Sequence, residues 1–127
     1  IRRSIYDKRN LNHQKLFKVT NTLLAVENTM ARIRLLVLDV LKPHQPSIIE
    51  LAKELSDLPH IDGVDITVYE IDSKVENVKI TIKGTTINYD EIMKVIEDKG
   101  ASIHSIDKVA SGKEIVEEAQ THQDSPH

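Results

Sequence analysis

Apolar residues recur with two different periods along residues 31–116, and the changes of period divide this stretch into strands and helices. Residues 31–41 are apolar at odd and even positions alike, which is typical of a central strand covered on both faces. Residues 64–72 and 77–83 alternate between apolar and polar side chains around a short polar turn, which predicts a hairpin. A last strand is predicted over residues 101–110, where apolar residues three apart indicate a bulge.

Two stretches between these strands have apolar residues at helical spacing, and each begins at a capping signal. Ser47 and Glu50 have the spacing of a capping box, and Asn88 with Glu91 is a similar signal. Gly63 is expected to mark the turn from the first helix into the second strand. The order strand, helix, strand, strand, helix, strand predicts an α+β fold. With right-handed crossovers it forms a ferredoxin-like βαββαβ sandwich, a four-stranded antiparallel sheet with two helices on one face.

The composition excludes several classes of function. The chain of 127 residues contains no cysteine, which excludes disulfides, thiolate metal sites and thiol nucleophiles. No apolar run approaches the roughly 20 residues of a membrane-spanning helix, and no secretory signal is recognisable, so we expect a cytoplasmic protein without a membrane span. Nucleic acid is not an expected partner, because the predicted domain is acidic and its strands offer one aromatic side chain, Tyr69, on an edge strand.

Charge separates the N-terminus from the rest of the chain. Residues 1–29 contain six basic and two acidic residues, whereas residues 30–127 contain 11 basic and 18 acidic ones. Residues 1–29 also precede Met30, the first methionine, and we interpret them as an extension, a mistranslated upstream segment. The alternative is a real amphipathic helix. Residues 30–116 are then the domain, and the polar residues 117–127 a disordered tail.

Candidate metal ligands collect at one edge of the predicted sheet. In this topology the loop after the first strand carries His44 and lies near the hairpin turn with Glu70, Asp72 and Glu76. Carboxylates suit Ca²⁺ or Mg²⁺, and histidine with carboxylate suits Zn²⁺. The three acidic residues therefore predict a divalent cation such as calcium. Because no two ligands have a diagnostic spacing, the alternative is that the acids are solvated and that His44 packs between prolines.

A second group of polar residues interrupts the apolar strands. Asp39 lies within the central strand, where a carboxylate needs a partner, and we expect Lys79 of the neighbouring strand or a group across an oligomer interface. His104 and Asp107 are expected to form a similar polar cluster in the last strand. Asp39, His104 and Asp107, together with His44, are the candidate ligand-binding residues, with a structural ion pair as the alternative for Asp39.

The sheet face without helices is expected to carry an apolar patch. If the odd-numbered positions of the first strand point to this face, the patch consists of Ile33, Leu35, Val37 and Leu41, with polar residues of the hairpin around it. An apolar centre with a polar rim is typical of an interaction surface. We therefore expect a homo-oligomer.

Four segments of the domain resemble a small archaeal family, the domain of unknown function number two hundred and eleven. They are Arg32–Pro46 (RIRLLVLDVLKPHQP), Val68–Asp72 (VYEID), Glu76–Gly84 (ENVKITIKG) and Ile103–Gly112 (IHSIDKVASG). The resemblance covers most of residues 30–116 and implies a ferredoxin-like fold and assembly into rings or larger oligomers. It implies no established activity.

Two functional hypotheses follow. The first is a non-enzymatic homo-oligomeric module that binds a divalent metal ion or a small ligand at subunit boundaries. The alternative is a small metal-assisted or acid/base enzyme with a site near His44, Asp72 and His104. The sequence has no serine-nucleophile elbow, no phosphate-binding loop and no dinucleotide-binding glycine motif, so it names no reaction.

Overall fold

The computed structural model describes residues 31–121. Its elements are β1 (Ile33–Pro43), α1 (Ile48–Ser56), β2 (Ile61–Ile71), β3 (Val75–Gly84), α2 (Tyr89–Asp98) and β4 (Ser102–Ser111). The four strands form one antiparallel sheet in the order β2-β3-β1-β4. The predicted ferredoxin-like α+β fold is confirmed. Among the residues described, no helix is long and apolar enough to cross a membrane.

The predictions for the two ends of the chain are not decided by this fold. The interpretation of residues 1–29 as an extension concerns residues outside the described range. Residues 117–121 are described and have no regular secondary structure, and residues 122–127 again lie outside. The bounds 30–116 and 117–127 therefore stay predictions.

The hydrophobic core lies between the sheet and both helices. The even-numbered positions of β1 point into it, as do alternate positions of β3 and the apolar stripe of each helix. Its largest fully buried aliphatic members are Leu36, Leu38, Val40, Val78, Ile80, Ile82, Leu51, Leu55, Ile92 and Ile96. Both helices therefore cover the same face of the sheet, as predicted.

Both helices begin at the predicted caps. The Ser47 hydroxyl accepts a hydrogen bond from the Glu50 amide at 3.3 Å, and the Glu50 carboxylate accepts one from the Ser47 amide at 3.1 Å. These two bonds complete the capping box and satisfy amides that have no partner inside the helix. At α2, the Asn88 side-chain oxygen accepts from the Glu91 amide at 3.2 Å.

The start of β2 differs from the prediction. β2 begins at Ile61, so Gly63 lies inside the strand at a shift of register, and the turn falls earlier, at His60 with φ 67°. The reason is a close approach of two backbones. The His60 carbonyl accepts a hydrogen bond from the Thr85 amide at 3.0 Å, which draws the turn against Gly84 at the end of β3.

The irregular spacing in β4 has the predicted cause. The ladder between β1 and β4 shifts register at three places. These shifts place Ile103, Ile106 and Val109 opposite three even-numbered residues of β1 that point into the core, namely Val40, Leu38 and Leu36. Bulges thus keep apolar residues three apart on the helix side of an edge strand.

The opposite face of the sheet, which we call the open face, carries the odd-numbered positions of β1. Leu35, Val37 and Leu41 lie there, Leu35 with 9% exposure and the other two half-buried. The expected patch is smaller than predicted, because Ile33 packs against the core cluster. The register shift between Ile33 and Leu35 explains this change of side.

The close approach at Gly84 gives a stability prediction. A Cβ at this position would lie 2.3 Å from the His60 carbonyl oxygen, so Gly84→Ala forces two backbones apart. We expect a loss of about 1–3 kcal/mol in the free energy of unfolding, measured by urea denaturation.

Gly63→Ala is the matched control for this substitution. A Cβ at Gly63 meets nothing within 4 Å. The free energy of unfolding of this variant should therefore lie within about 0.5 kcal/mol of the wild-type value or slightly above it. Equal stability of the two variants would contradict the role assigned to Gly84.

Candidate functional site

A buried lysine lies at the end of β1, where the sheet edge meets the loop to α1. Lys42 is the last of the even-numbered residues of β1, which point to the core side of the sheet, and its side chain is fully buried. Its ammonium donates to the carbonyls of Pro43 at 2.7 Å, His44 at 3.4 Å and Pro46. It also lies 3.1 Å from Glu76 Oε1 on β3, as an ion pair. The amine therefore holds the Pro43–Pro46 loop against the sheet.

His44 extends this cluster to the β2–β3 turn. Its Nδ1 lies 3.2 Å from Glu76 Oε2, and its Nε2 lies 2.9 Å from the carbonyl oxygen of Asp72. A carboxylate and a carbonyl both accept hydrogen bonds, so both ring nitrogens must donate to satisfy them. Only the imidazolium form has two N–H groups. The geometry therefore favours a protonated His44.

The pKa values of the two side chains agree with this geometry. The hydrogen bond with Glu76 raises the pKa of His44 above its usual 6.5, against a smaller opposing effect of burial, and the Asp72 carbonyl adds to the rise. Burial on its own would raise the pKa of Glu76. The hydrogen bonds and charges of His44 and Lys42 outweigh burial, and the pKa of Glu76 falls below its usual value. The carboxylate thus stays ionised between two cations.

Asp72 shapes the turn that His44 contacts. Its carboxylate oxygen Oδ1 accepts from the amides of Lys74 and Val75, each at 2.8 Å. These two bonds lower the pKa of Asp72. The residue thereby holds the turn through its side chain and offers its carbonyl to His44, an arrangement typical of aspartate in tight turns.

The predicted metal ligands are only partly brought together. Glu76 and Asp72 both contact His44, as expected from the topology. Glu70 lies on the open face, opposite Asn77 and next to a register shift in β2. Within residues 31–121, no group of three or more His, Asp and Glu side chains is placed to hold a metal ion. A cation site at Glu70, Asp72 and Glu76 would be incomplete in one chain and stays a prediction.

A second polar cluster lies on the open face around Lys79. The ladder places Asp39 opposite Lys79, which is the partner predicted for this carboxylate. The Lys79 amine lies 5.2 Å from the centre of the Tyr69 ring. Contact with Tyr69, followed by the charges of Asp107 and Asp39, raises the pKa of Lys79. Asp39, Asp107, Lys79 and Tyr69 line a shallow cavity of about 470 Å³.

His104 is placed apart from His44. In β4 it lies between Ile103, which pairs with Val40, and Ser105, which pairs with Asp39. Among the described residues, no hydrogen bond or ion pair joins His104 to the cluster at the sheet edge. No hydrogen bond or ion pair within the described residues joins His104 to Asp107 either, and the Asp107 carboxylate accepts from the Ser105 hydroxyl at 2.7 Å. The expected pair of His104 and Asp107 is therefore replaced by Ser105 and Asp107.

The sequence interpretation missed Lys42, although a signal for it was present. Leu36, Leu38 and Val40 set the even-numbered row of β1 toward the core, and Lys42 is the next member of that row. A lysine at such a position needs acceptors. The following loop, with Pro43 and Pro46, supplies carbonyls and is short of N–H donors.

Comparison with known proteins identifies the family of this chain. The family model DUF211, described as uncharacterized ArCR, matches residues 34–125, which is more than half of the chain. The chain belongs to this family. The matched range includes the cluster of Lys42, His44, Asp72 and Glu76 and also the cluster around Lys79, so both lie inside the DUF211 domain.

A curated relative supports the same assignment. The chain is 56% identical to the uncharacterized protein MJ0319 of Methanocaldococcus jannaschii over 95 residues, which cover 75% of this chain and 98% of the relative. Both descriptions name uncharacterized proteins. The comparisons therefore establish that the chain is a member of the DUF211 family.

The burial of Lys42 predicts a large stability effect. Lys42→Met removes the ammonium, so that three loop carbonyls lose their donor and the Glu76 carboxylate keeps only His44 as a cation. Removing one partner of a buried ion pair costs about 3–5 kcal/mol, and we expect a loss of that size in urea denaturation. Lys94→Met is the control, since the Lys94 side chain is 77% exposed and its ion pair with Asp98 contributes about 0.5 kcal/mol or less. Similar losses in both variants would contradict the role of Lys42.

The two hydrogen bonds of His44 predict a pH dependence. Because its pKa is raised in the folded state, its stabilising effect is complete below its usual pKa of 6.5 and is lost as the pH rises through the raised pKa. The stability difference between the wild type and His44→Gln should therefore be largest at low pH and shrink above neutrality. NMR titration of the ring should give a midpoint above 6.5, and Glu76→Gln should lower that midpoint. A wild-type midpoint at or below 6.5 would contradict the protonated geometry.

Proposed function

We propose that this protein is a non-enzymatic homo-oligomeric module that assembles through the open face of its sheet. The observation that carries the proposal is that helices cover one face of the sheet and leave the other face uncovered. Both helices lie on the core side, while the open face keeps the apolar side chains of Leu35, Val37 and Leu41 at its centre. Polar residues of β2, β3 and β4 surround them. Such a surface has the composition of an interface core with a polar rim.

The end of the sheet at the β2–β3 turn supports the same proposal. Ile71 at the end of β2 is 67% exposed and lines a cavity of about 480 Å³ together with Leu41 and Val75. A large exposed aliphatic residue loses unfavourable contact with water when another surface covers it. A second copy of the chain would provide that cover.

Subunit boundaries also suit the proposed cation. Glu70 and Asp72 line the cavity beside Ile71, but two carboxylates fall short of the six to eight oxygens that calcium takes. The remaining oxygens would come from a second copy that covers this end. We therefore place a divalent cation, such as calcium, between subunits rather than within one chain.

The geometry of His44 gives no support to the alternative of an enzyme. A general base or a metal ligand needs a ring nitrogen with a free lone pair. Both nitrogens of His44 already face acceptor oxygens, at 3.2 and 2.9 Å. His104, the third residue of that hypothesis, lies elsewhere in the ladder, beside Asp39.

Native mass spectrometry of the full chain tests the assembly. We expect an oligomer for the wild type. Val37→Lys places a charge at the centre of the open face and should weaken association by about 30-fold, the effect of losing one central interface contact. Ile49→Lys on α1 is the control, because Ile49 is 65% exposed on the helix side and its replacement should leave the oligomer intact.

The same spectra test the cation. Extra mass that a chelator removes would support ion binding between subunits, and an oligomer without such mass would overturn that part of the proposal alone. A wild type that stays monomeric at all concentrations would overturn the assembly itself.

A further inference from the structure

Charged and polar residues on the open face are arranged in rows that run across the four strands. The ladders align Asp65 of β2, Thr81 of β3, Val37 of β1 and Lys108 of β4 in one row. The next row consists of Thr67, Lys79, Asp39 and Ser105. Each row thus reads across the sheet in the order β2, β3, β1 and β4.

Both rows are complementary about the midline between β3 and β1. In the first row, acidic Asp65 on one edge strand mirrors basic Lys108 on the other, and Thr81 mirrors Val37, which has nearly the same shape. In the second row, basic Lys79 mirrors acidic Asp39. Thr67 mirrors Ser105, so that two hydroxyls take the outer positions. Charges of opposite sign therefore occupy mirrored positions in each row.

The two edge charges do not pair with each other within one chain. Asp65 and Lys108 are separated by three strand spacings, or about 14 Å, which exceeds the Debye length of about 8 Å at physiological ionic strength. Among the described residues, neither side chain forms an ion pair within 4 Å. The Asp65 carboxylate accepts a hydrogen bond from Thr67 at 3.0 Å, which fixes its place on the open face.

We infer that a second copy of the chain docks face to face on the open face, about a two-fold axis that runs along the strands between β3 and β1. This inference rests on the proposed assembly and specifies its geometry. The axis places β2 over β4 of the partner and β3 over its β1. Asp65 of each copy then faces Lys108 of the other, and Lys79 faces Asp39.

A two-fold axis in the other in-plane direction lacks this match. A two-fold axis perpendicular to the strands places each strand over its own copy, so that Lys108 approaches Lys108 when the rows align. Facing like charges oppose association, whereas complementary charges select the register. A two-fold interface uses the same patch on both copies, so each favourable pair occurs twice.

The dimensions of the face suit a dimer. Four strands about 4.8 Å apart and about 30 Å long give a face of about 600 Å² before side-chain relief is counted, against about 800 Å² per partner in a standard interface. Facing sheets pack about 10 Å apart, a distance that a lysine and an aspartate side chain span together. In this arrangement Val37 of each copy lies over Thr81 of the other, and Leu35 lies over Lys83, whose aliphatic stem covers it.

Charge reversal at the two edge positions tests the inference. Asp65→Lys and Lys108→Asp each place like charges opposite one another twice per dimer, and each alone should weaken the dimer by about tenfold or more at low salt. An equimolar mixture of the two variants restores both attractive pairs. The double variant, which keeps the net charge of the wild type, restores them in one chain. Both should associate within about threefold of the wild type.

Sedimentation equilibrium gives the dissociation constants, and native mass spectrometry identifies the mixed dimer by its mass. Lys94→Asp on α2 is the charge control, since Lys94 is 77% exposed on the helix side and should leave association unchanged. If one single variant does not fold, the double variant and the salt dependence of the wild type still test the geometry. The dissociation constant of the wild type should increase with the salt concentration, because salt screens the paired charges.

The outcomes separate this inference from the proposed function. Single variants that assemble like the wild type, or singles that weaken assembly without rescue in the mixture and the double variant, would overturn the two-fold geometry and leave the assembly proposal standing. A wild type that is monomeric in every experiment would overturn both. Selective formation of the mixed dimer would support the geometry.

Discussion

The buried ammonium of Lys42 is the constraint on which one end of the molecule depends. A buried cation is stable only when acceptors surround it, and here three carbonyls of the Pro43–Pro46 loop and the Glu76 carboxylate do so. This arrangement fixes the loop that leads into Ser47, the cap of α1. It also fixes Glu76, whose second oxygen orients His44 toward the β2–β3 turn. One side chain thus positions a loop, a helix start and a hairpin end.

The two prolines explain why a lysine serves better here than an apolar residue. Pro43 and Pro46 have no N–H group, so the loop carbonyls face a local shortage of donors. Replacing a buried ion pair by apolar side chains is often neutral in other settings, because both charges disappear together. At Lys42 the carbonyls would remain and stay unpaired, at a cost for each one. The charge is therefore retained for the backbone as much as for Glu76.

The fold was accessible from the sequence because its signals are local. The period of the apolar residues predicted the four strands and two helices, and the side chains of Ser47 and Asn88 mark where the helices begin. The turn before β2 was misplaced, since it depends on contact between His60 and Gly84, which are distant in sequence. The hypothesis of a site shared by His44 and His104 failed for a similar reason. Bulges in β4 change which residue lies opposite which, and no local pattern records the resulting register.

The two candidate clusters differ in whether their charges are neutralised within one chain. At the sheet edge, ion pairs and hydrogen bonds within one chain join Lys42, His44, Asp72 and Glu76, and the pKa shifts of the last three agree with this geometry. On the open face, Asp65 and Lys108 lie on opposite edges of the sheet, too far apart to neutralise each other. A folded chain gains little from charges held apart in this way, whereas an interface gains register and selectivity from them. The physical demand for a partner therefore falls on the open face, and the sheet edge serves to hold the frame on which that face is built.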